Sequence, residues 1–189
     1  ITNVIHTEKN VTLSFGTESQ NFDQFVVSTG AWSNIIANYI GDNFPLDTER
    51  GYHVLFDNSE ELINRPIGWS QSGFYLIQIE EGIRAAGTVE IAGLHKKPNE
   101  KRIRMIEKQA RKVLPQLGKV KKEWMGFRST LPDSLPVIGP SQKNKRIFYA
   151  FGHQHIGWTL GAVTGKIIDS LVKQVQPNID IKAFSPNRF

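Results

Sequence analysis

The sequence predicts a combined α/β and α+β fold, in which an α/β layer is interrupted by an antiparallel β-rich lobe. Three observations lead to this prediction. The segment Gln24–Ser28 carries a short apolar run that passes through small residues into a helical pattern, as a buried strand and its helix do in an α/β layer. Strand-like segments separated by turn residues then fill the middle of the chain. Near the carboxyl end, Ile147–Phe151 is again a strand followed by a turn and a long helix.

Residues 1–47 form the first part of the predicted layer. Apolar and polar residues alternate in Asn10–Phe15, which indicates a strand. The segment Ile1–Ser14 resembles a strand, a turn and a strand entered part-way, and the first residue is not Met, so we expect a fragment of a longer protein. A helix with one apolar side follows Ser33 and stops at Gly41, because glycine is the usual residue just past a helix end.

Residues 48–122 form the predicted lobe. Its strands are rich in β-branched and aromatic residues and are Arg50–Phe56, Gly73–Ile79 and Thr88–Ala92. The segment Asn99–Leu114 has the apolar spacing of an amphipathic helix, with Asn99 as its cap and Pro115 after its end.

Residues 123–176 return the chain to the layer. A strand at Lys121–Arg128 leads into a proline-rich loop at Leu131–Pro140, and the strand Ile147–Phe151 follows. The last helix is expected to run to about Gln174, and residues 177–189 are expected to form a tail.

The last helix carries Gly157, Gly161 and Gly165 at four-residue spacing, so these glycines lie on one face. Each costs roughly 1 kcal/mol relative to alanine in a helix interior, which calls for a compensating role. The opposite face is expected to carry apolar residues, namely Leu160, Val163, Ile167 and Leu171. A glycine face lets a strand, a helix or a planar ligand approach closely, and the positive amino end of the helix suits a carbonyl or an anion. Tight helix-on-sheet packing without a ligand remains the alternative.

Composition excludes several classes of function. The 189 residues include no cysteine, which excludes disulfides, thiolate metal sites and a cysteine nucleophile. The net charge is +5, but much of it falls in Lys96–Lys112 and Lys119–Lys122, where the charges lie opposite apolar residues at helical spacing. We therefore expect a solvated helix face and no nucleic acid partner. No apolar run approaches the roughly 20 residues of a membrane-spanning helix.

The sequence does not match a phosphate loop, a metal site or a familiar hydrolase motif. The segment Gly161–Lys166 is one residue short of a phosphate loop, and Ile167 stands where Ser or Thr would hold magnesium. His153 and His155 lack supporting acidic or histidine ligands at a suitable spacing, so no metal site is predicted. The sequence also lacks the motifs of familiar hydrolases.

Three ordered segments resemble motifs of the D-amino-acid oxidase superfamily. They are the turn Val26–Ser33 (VVSTGAWS), the segment Gly126–Gly139 (GFRSTLPDSLPVIG) and the loop Phe151–Thr159 (FGHQHIGWT). The triplet Arg50–Gly51–Tyr52 also begins the lobe where family members show it. The sequence is most similar to the branch that contains glycine oxidase and the D-amino-acid dehydrogenases of the small-subunit type. One departure is Ser129, where the family usually has a proline that would fix φ.

The resemblance implies that the α/β layer is the carboxy-terminal part of a Rossmann-like FAD-binding domain and that the lobe binds substrate. Family members open with a Gly-x-Gly-x-x-Gly turn that holds the FAD pyrophosphate, and no Gly-x-Gly occurs here. We therefore expect a missing amino-terminal segment, without which the chain binds FAD poorly or not at all.

The implied reaction is oxidative deamination of a D-amino acid, a step of amino-acid catabolism in which hydride passes from Cα to the flavin. Residues implied for catalysis and substrate binding are Arg128, Arg50, Tyr75 and His153, with Arg128 as the leading carboxylate clamp because its planar fork makes two charge-assisted bonds. Residues implied for cofactor binding are Thr29, Gly30, Trp32, Arg128, Gly152, His153, Ile156, Gly157, Trp158 and Thr159. Trp32 is expected to pack beneath the layer. The last helix, Arg128 and the Gly30 turn should lie together around a flat ring system.

Several alternatives stay open at this point. Arg128, Arg50 and Tyr75 could instead serve as an ion pair, a surface pair and a core aromatic. The chain could be an inactive fragment, or part of a flavoenzyme that acts on glycine, sarcosine, an opine or D-hydroxyproline. The electron acceptor could be oxygen or the respiratory chain, and the expected location is cytoplasmic or peripheral on the inner face of the cell membrane.

Overall fold

A computed structural model describes residues 1–57 and 62–189, and it divides the chain into two compact units. The first unit combines Ile1–Thr48 with Arg128–Phe189, and the second unit is Glu49–Phe127. The chain therefore leaves the first unit, builds the second and returns.

The first unit opens with an antiparallel sheet of three strands: β1 (Asn3–His6), β2 (Val11–Phe15) and β3 (Glu18–Phe22). Val11 and Leu13 of β2 are buried, whereas Thr12 and Ser14 are partly exposed, as the alternating pattern predicts. Strand β3 was not predicted, because its residues are polar and mostly exposed and it depends on its pairing with β2.

The second sheet of the first unit has the order β10-β11-β4. Strand β4 (Phe25–Val27) runs parallel to β11 (Ile147–Phe151), and β10 (Val137–Pro140) pairs antiparallel with β11. The prediction of a loop over Leu131–Pro140 is wrong for β10, whose Val137 and Ile138 are buried. Four residues bounded by prolines give no periodic signal, so this strand depends on its pairing with β11.

Two helices complete the framework of the first unit: α1 (Ser33–Ile40), which ends in the left-handed Gly41 with φ 92°, and α3 (Gly157–Val172). Residues Ile167 and Ile168 of α3 are buried as part of its packing face. Val163, which was predicted on the side opposite the glycines, is 42% exposed. Thr164 is buried in its place.

The second unit is a five-stranded sheet of order β6-β7-β8-β5-β9. Its strands are β5 (Asp47–Phe56), β6 (Ile67–Trp69), β7 (Phe74–Ile79), β8 (Gly82–Ile91) and β9 (Val120–Thr130). Helix α2 (Glu100–Val113) begins at Asn99, whose side chain accepts a hydrogen bond of 3.1 Å from the backbone N–H of Lys101, as predicted for the cap.

Helix α2 covers one face of this sheet. Buried residues shared by the helix and that face form the core of the second unit, namely Tyr52, Val54, Phe56, Phe74, Leu76, Ile83, Ala85, Ile103, Ile106 and Ala110. The alternation of a strand then directs the intervening residues to the other face, which we call the open face. A β-bulge interrupts β5 and β8 between Gly51 and Tyr52, and Thr88 opposite it has a φ of 58°.

The segment after α3 differs from the expected tail. It contains two short 3-10 helices, Lys182–Phe184 and Pro186–Arg188. Pro186 is buried beside Gly139, where a Cβ atom would come within 2.8 Å of the Pro186 ring. Arg188 Nε donates to Asp133 at 2.6 Å. Apolar residues within this segment and the Arg188 fork therefore attach it to the first unit.

Within the described part of the chain, no helix combines the length and the apolar character that crossing a membrane would require.

Candidate functional site

Two glycine turns lie next to each other at one edge of the first unit. Strands β4 and β11 are parallel, and Val27 pairs with Tyr149. The carboxyl ends of the two strands therefore lie at the same edge of the sheet. The turn after β4 contains Gly30 with φ 57°, and the turn after β11 contains Gly152 with φ 86°. In open α/β sheets this edge is where ligands bind.

Glycine is required at position 152 for two reasons. The positive φ is unfavourable for residues with a side chain, and a Cβ atom there would come within 2.6 Å of Leu131 Cδ1. By contrast, no atom of the described residues lies within 4 Å of a Cβ atom placed on Gly30. The Gly152 turn is therefore packed from one side, whereas the Gly30 turn faces open space.

Ser129 ties the end of β9 to the Gly152 turn. The Gly152 N–H donates to Ser129 Oγ at 3.3 Å, and the Gln154 N–H donates to the Ser129 carbonyl at 3.1 Å. The first of these bonds needs a hydroxyl, which the proline usual in the family cannot supply. The departure from the family pattern therefore replaces the rigidity of a proline ring with a side-chain hydrogen bond, and it fixes Arg128 one residue away from this anchor.

One donor of Arg128 is unpaired among the described residues. Its side chain is half-buried, and its Nη1 atom is buried without a hydrogen-bond partner among residues 1–57 and 62–189. A buried guanidinium nitrogen left unpaired is costly, so an acceptor such as a carboxylate would be bound favourably there.

His153 turns back onto α3. Its Nε2 atom lies 3.0 Å from Thr164 Oγ1, and its Cβ atom packs 3.2 Å from the place where a Cβ atom on Gly157 would stand. Burial lowers the pKa of His153, so the imidazole is neutral at pH 7. These contacts hold the turn against the helix.

The amino end of α3 is exposed. Ile156 and Trp158 are 55% and 100% exposed, and no side chain in the described ranges caps the helix. A Cβ atom placed on Gly161 or on Gly165 would have no atom of the described chain within 4 Å. The glycine face predicted to receive a close neighbour is thus open, with a positively polarised helix end beside it.

The turn that precedes α1 places Trp32 differently from expectation. Thr29 Oγ1 lies 3.2 Å from Ser33 Oγ, and the Trp32 N–H donates to the Thr29 carbonyl at 3.1 Å. Trp32 was expected beneath the layer, but 48% of its surface is exposed. The turn is a single 3-10 turn, Gly30–Trp32, which projects the indole outward.

Arg50 lies in the interior of the second unit, with an exposure of 0%. Its Nη1 is 3.8 Å from Glu90 Oε2, and its guanidinium lies 5.9 Å from the Phe127 ring centroid. None of its guanidinium nitrogens has a hydrogen-bond partner within the described residues. In this structure Arg50 is therefore a buried half of an ion pair, with no access to a ligand.

Glu90 is the centre of that buried network. It accepts from Tyr52 Oη at 2.6 Å and from Asn99 Nδ2 at 3.2 Å, and Arg102 Nε approaches it at 3.8 Å. The Tyr52 hydrogen bond, followed by Asn99 and the two arginines, lowers the pKa of Glu90 against the opposing effect of burial.

Tyr75 lies on the open face of the second unit and is 61% exposed. Its ring leans over Gly68, where an added Cβ atom would be 3.0 Å from Tyr75 Cε1. The same face carries an aromatic pair that sequence reasoning missed, in which His53 and Trp124 stack with centroids 4.9 Å apart.

One depression of the first unit lies away from the glycine turns. It is lined by polar and charged residues that include Gln24, Lys143, Asn144 and Arg146. Gln24 and Arg146 directly precede β4 and β11, so the depression lies at the opposite ends of these strands. In the part of the chain that the structure describes, no three His, Asp or Glu side chains are grouped to hold a metal.

Comparison with known proteins gives matches over most of the chain. A sequence profile described as FAD dependent oxidoreductase (DAO) matches residues 1–171. A D-amino-acid oxidase of Bradyrhizobium diazoefficiens is 40% identical over 172 residues, covering 88% of this chain and 41% of that protein. A D-amino acid dehydrogenase of Paramagnetospirillum magneticum is 29% identical over 171 residues, covering 88% of this chain and 40% of that protein.

Solved structures of similar fold also match the chain. Glycine oxidase from Geobacillus kaustophilus has a TM-score of 0.89 at 18% identity over 100% of this chain and 52% of that one, which shows a shared fold. The chain thus spans about half the length of the proteins that it matches. The similarity confirms the predicted fold class, and the profile match shows that the chain belongs to the DAO family of FAD-dependent oxidoreductases.

Proposed function

We propose that the protein to which this chain belongs oxidises a D-amino acid at Cα with the help of FAD. The observation that carries this proposal is the buried Nη1 donor of Arg128, which has no partner among the described residues and lies one residue from the Ser129 anchor of the Gly152 turn. A carboxylate bound by this guanidinium would lie beside the open amino end of a helix. The relatives named D-amino-acid oxidase and D-amino acid dehydrogenase support the choice of substrate.

The first unit has features that fit a flat cofactor. Cβ atoms placed on Gly30, Gly161 and Gly165 would meet no atom of the described chain within 4 Å. Residues proposed to hold FAD are Thr29, Gly30, Trp32, Arg128, Gly152, His153, Ile156, Gly157, Trp158 and Thr159. FAD would supply the hydride acceptor. We propose that the part of the relatives not spanned here holds the FAD pyrophosphate, so that the chain alone binds FAD weakly.

Arg128 would orient the substrate. A guanidinium that binds both carboxylate oxygens fixes the plane of the substrate and thereby the direction of the Cα–H bond. The backbone N–H groups at the start of α3 would stabilise negative charge that develops beside them, because they are already oriented. His153 would contribute no charge, since burial holds its imidazole neutral.

Arg50 would have a structural role, and Tyr75 would contact the substrate. Arg50 is fully buried against Glu90, so we propose that it shapes the second unit instead of binding the carboxylate. Tyr75 is exposed on the open face and could present its hydroxyl to a substrate. No side chain is proposed as a general base, because an amine can enter already deprotonated.

We also propose that the cofactor passes its electrons to a respiratory acceptor. The protein would then be cytoplasmic and would bind the inner face of the cell membrane peripherally. The exposed face of α2 carries Lys101, Arg104, Lys108 and Lys112. Such a face attracts an anionic membrane surface by about 1 kcal/mol per basic residue.

The test uses the complete reading frame that contains this chain. The purified protein should show the two visible flavin bands, and D-amino acids should bleach them anaerobically faster than their L-enantiomers. Glycine and sarcosine belong in the same panel, because they distinguish related flavoenzymes. A protein that binds no flavin, or whose flavin is bleached by none of these amines, would contradict the proposal.

A further inference from the structure

The segment that follows α3 makes polar contacts with a loop of the same unit. We call residues 181–189, which contain the two short 3-10 helices, the carboxyl strap. The loop is formed by residues 131–136, and both segments belong to the first unit. The family profile matches the chain as far as residue 171, so the family assignment gives the strap no role.

Apolar side chains fix the strap to the rest of the first unit. Ile181 and Phe184 pack against a buried cluster shared by the sheet and α3, whose members are Ile138, Phe148, Ile167 and Ile168. Pro186 is buried against Gly139 of β10. The strap therefore holds Arg188 in a defined place.

The Arg188 guanidinium binds the middle of the loop. Its Nε and Nη2 atoms donate to the two carboxylate oxygens of Asp133 at 2.6 and 3.4 Å. Nη2 also donates to the Leu135 carbonyl at 2.7 Å. The hydrogen bond from Arg188 lowers the pKa of Asp133 against the opposing effect of burial, so the carboxylate is ionised at pH 7. Only 16% of the Arg188 side chain is exposed, and a forked contact of this kind is stronger than a solvated surface pair.

The two ends of the loop pack against the Gly152 turn. A Cβ atom placed on Gly152 would come within 2.6 Å of Leu131 Cδ1 and 3.5 Å of Pro136 Cα. Both of these loop residues are buried, whereas the residues between them are exposed. The loop therefore forms the packed side of the turn.

Hydrogen bonds within the loop join its middle to its ends. The Ser134 N–H donates to the Leu131 carbonyl at 3.0 Å, and the Leu135 N–H donates to Asp133 Oδ1 at 3.1 Å. A restraint on Asp133 and Leu135 therefore also limits the movement of Leu131. Exposed loop segments open at a low cost in free energy unless other contacts restrain them, and Arg188 supplies such a contact.

We propose that Arg188 is a positioning residue of the cofactor site. By binding Asp133 and the Leu135 carbonyl, it keeps Leu131 packed on the Gly152 turn, so the backbone proposed to contact the flavin is ordered before the flavin binds. A preorganised turn loses less conformational entropy on binding, so the strap tightens flavin binding without contributing a group that touches the flavin. This inference rests on the proposed function, because that proposal places the flavin at the Gly152 turn.

The test uses the complete protein prepared without flavin and compares two measurements, hydrogen exchange of residues 152–154 and the dissociation constant of added FAD. Arg188→Met keeps much of the side-chain volume and removes its charge and its donors. Exchange at 152–154 should become about tenfold faster or more, because hydrogen bonds to a charged group are lost and local opening becomes easier. The dissociation constant should rise about three- to tenfold, because FAD binding must then order the turn.

Asp133→Asn tests the same contact from the loop and protects the experiment against a folding failure of Arg188→Met. Both effects should go in the same direction, and the double variant should be no worse than the stronger single variant, since each removes one shared contact. Lys173→Met is the control. It removes an exposed ion pair with Asp169 in the same unit and should change neither measurement.

The Phe25 N–H reports general destabilisation, because it is bonded to the Arg146 carbonyl at 2.9 Å at the opposite end of the same sheet. Equal acceleration of exchange at Phe25 and at 152–154, or unchanged exchange at 152–154 in both Arg188→Met and Asp133→Asn, would overturn this inference alone. Faster exchange at 152–154 with an unchanged dissociation constant would contradict the positioning role and the placing of the flavin at the Gly152 turn. A wild-type protein that binds no FAD would overturn the proposed function and this inference with it.

Discussion

The carboxyl edge of the parallel strands in the first unit is built from backbone, whereas the open face of the second unit is built from side chains. At the first, the glycine turns at Gly30 and Gly152 and the uncapped start of α3 present N–H groups and bare Cα atoms. At the second, Tyr75, His53 and Trp124 present rings. Backbone donors suit a ligand that never changes, and side chains suit one that differs between enzymes. Under the proposed function, the first surface would serve the cofactor and the second the substrate.

The largest expected effect concerns the buried support of the second unit. Glu90→Gln removes the charge that compensates Arg50, so we expect a loss of about 3–5 kcal/mol in the free energy of unfolding, measured by urea denaturation. Glu107→Gln breaks a half-exposed pair with Arg111 and should cost less than about 1 kcal/mol. Equal losses in the two variants would mean that Glu90 does not support Arg50.

The same carboxylate predicts a pH dependence. The pKa of Glu90 is lowered in the folded chain, so its stabilising contribution is complete above the ordinary glutamate pKa and is lost as the pH falls through the lowered value. Unfolding of the wild-type chain followed from pH 7 downward should show this loss in acid, and Glu90→Gln should lack that part of the slope. An identical slope in both proteins would assign the acid sensitivity to other groups.

The next effect tests the packed glycine turn. Gly152→Ala combines an unfavourable positive φ with an overlap against Leu131, so it should destabilise the chain by roughly 2–4 kcal/mol in chemical denaturation. Gly161→Ala is the control, and it should change the free energy of unfolding in the opposite direction. It should stabilise α3 by up to about 1 kcal/mol, because its Cβ position is empty. In the complete protein, however, Gly161→Ala should weaken flavin retention. A stabilised variant that retains flavin normally would remove the glycine face from the cofactor site.

Arg128→Ala tests the carboxylate clamp. It should raise the KM for amino-acid substrates about 10- to 100-fold, since a charged hydrogen-bonded partner of the carboxylate is lost, while flavin absorbance is retained. Arg128→Lys keeps the charge but not the fork and should recover only part of the loss. Unchanged steady-state kinetics in Arg128→Ala would exclude the clamp.

The smallest effect concerns the departure from the family pattern. Ser129→Ala removes the hydroxyl that accepts from the Gly152 N–H and should cost about 1 kcal/mol of stability. Ser170→Ala on the exposed side of α3, where the hydroxyl bonds only the Lys166 carbonyl, should be nearly neutral. If both variants unfold at the same urea concentration as the wild type, Ser129 does not anchor the turn.

Much of the fold could be predicted from local patterns. Strand β11 is a continuous apolar run, and α2 combines apolar periodicity with one polar capping side chain, Asn99. Strands β3 and β10 could not, since neither has periodicity and each is defined by its partner strand. The exposure of Val163 could not be predicted either, because a helix with apolar and small residues around much of its surface does not specify which side packs.

At the candidate site, the parallel strands bring the two glycine turns together as the strand–turn–helix patterns suggested. Three features were out of reach. The burial of Arg50 depends on Glu90, which is forty residues away in sequence, and the Ser129 bond depends on the position of Gly152. The stack of His53 on Trp124 depends on the pairing of β5 with β9. Contacts between residues distant in sequence are not encoded in a local motif.

A crystal structure of the complete flavin-loaded protein would test the central claim most directly. We predict that the three-ring system of the flavin lies in van der Waals contact with the backbone of Gly152–Thr159 and that a bound carboxylate accepts hydrogen bonds from Arg128. A flavin bound elsewhere, with the amino end of α3 still exposed to water, would contradict the account.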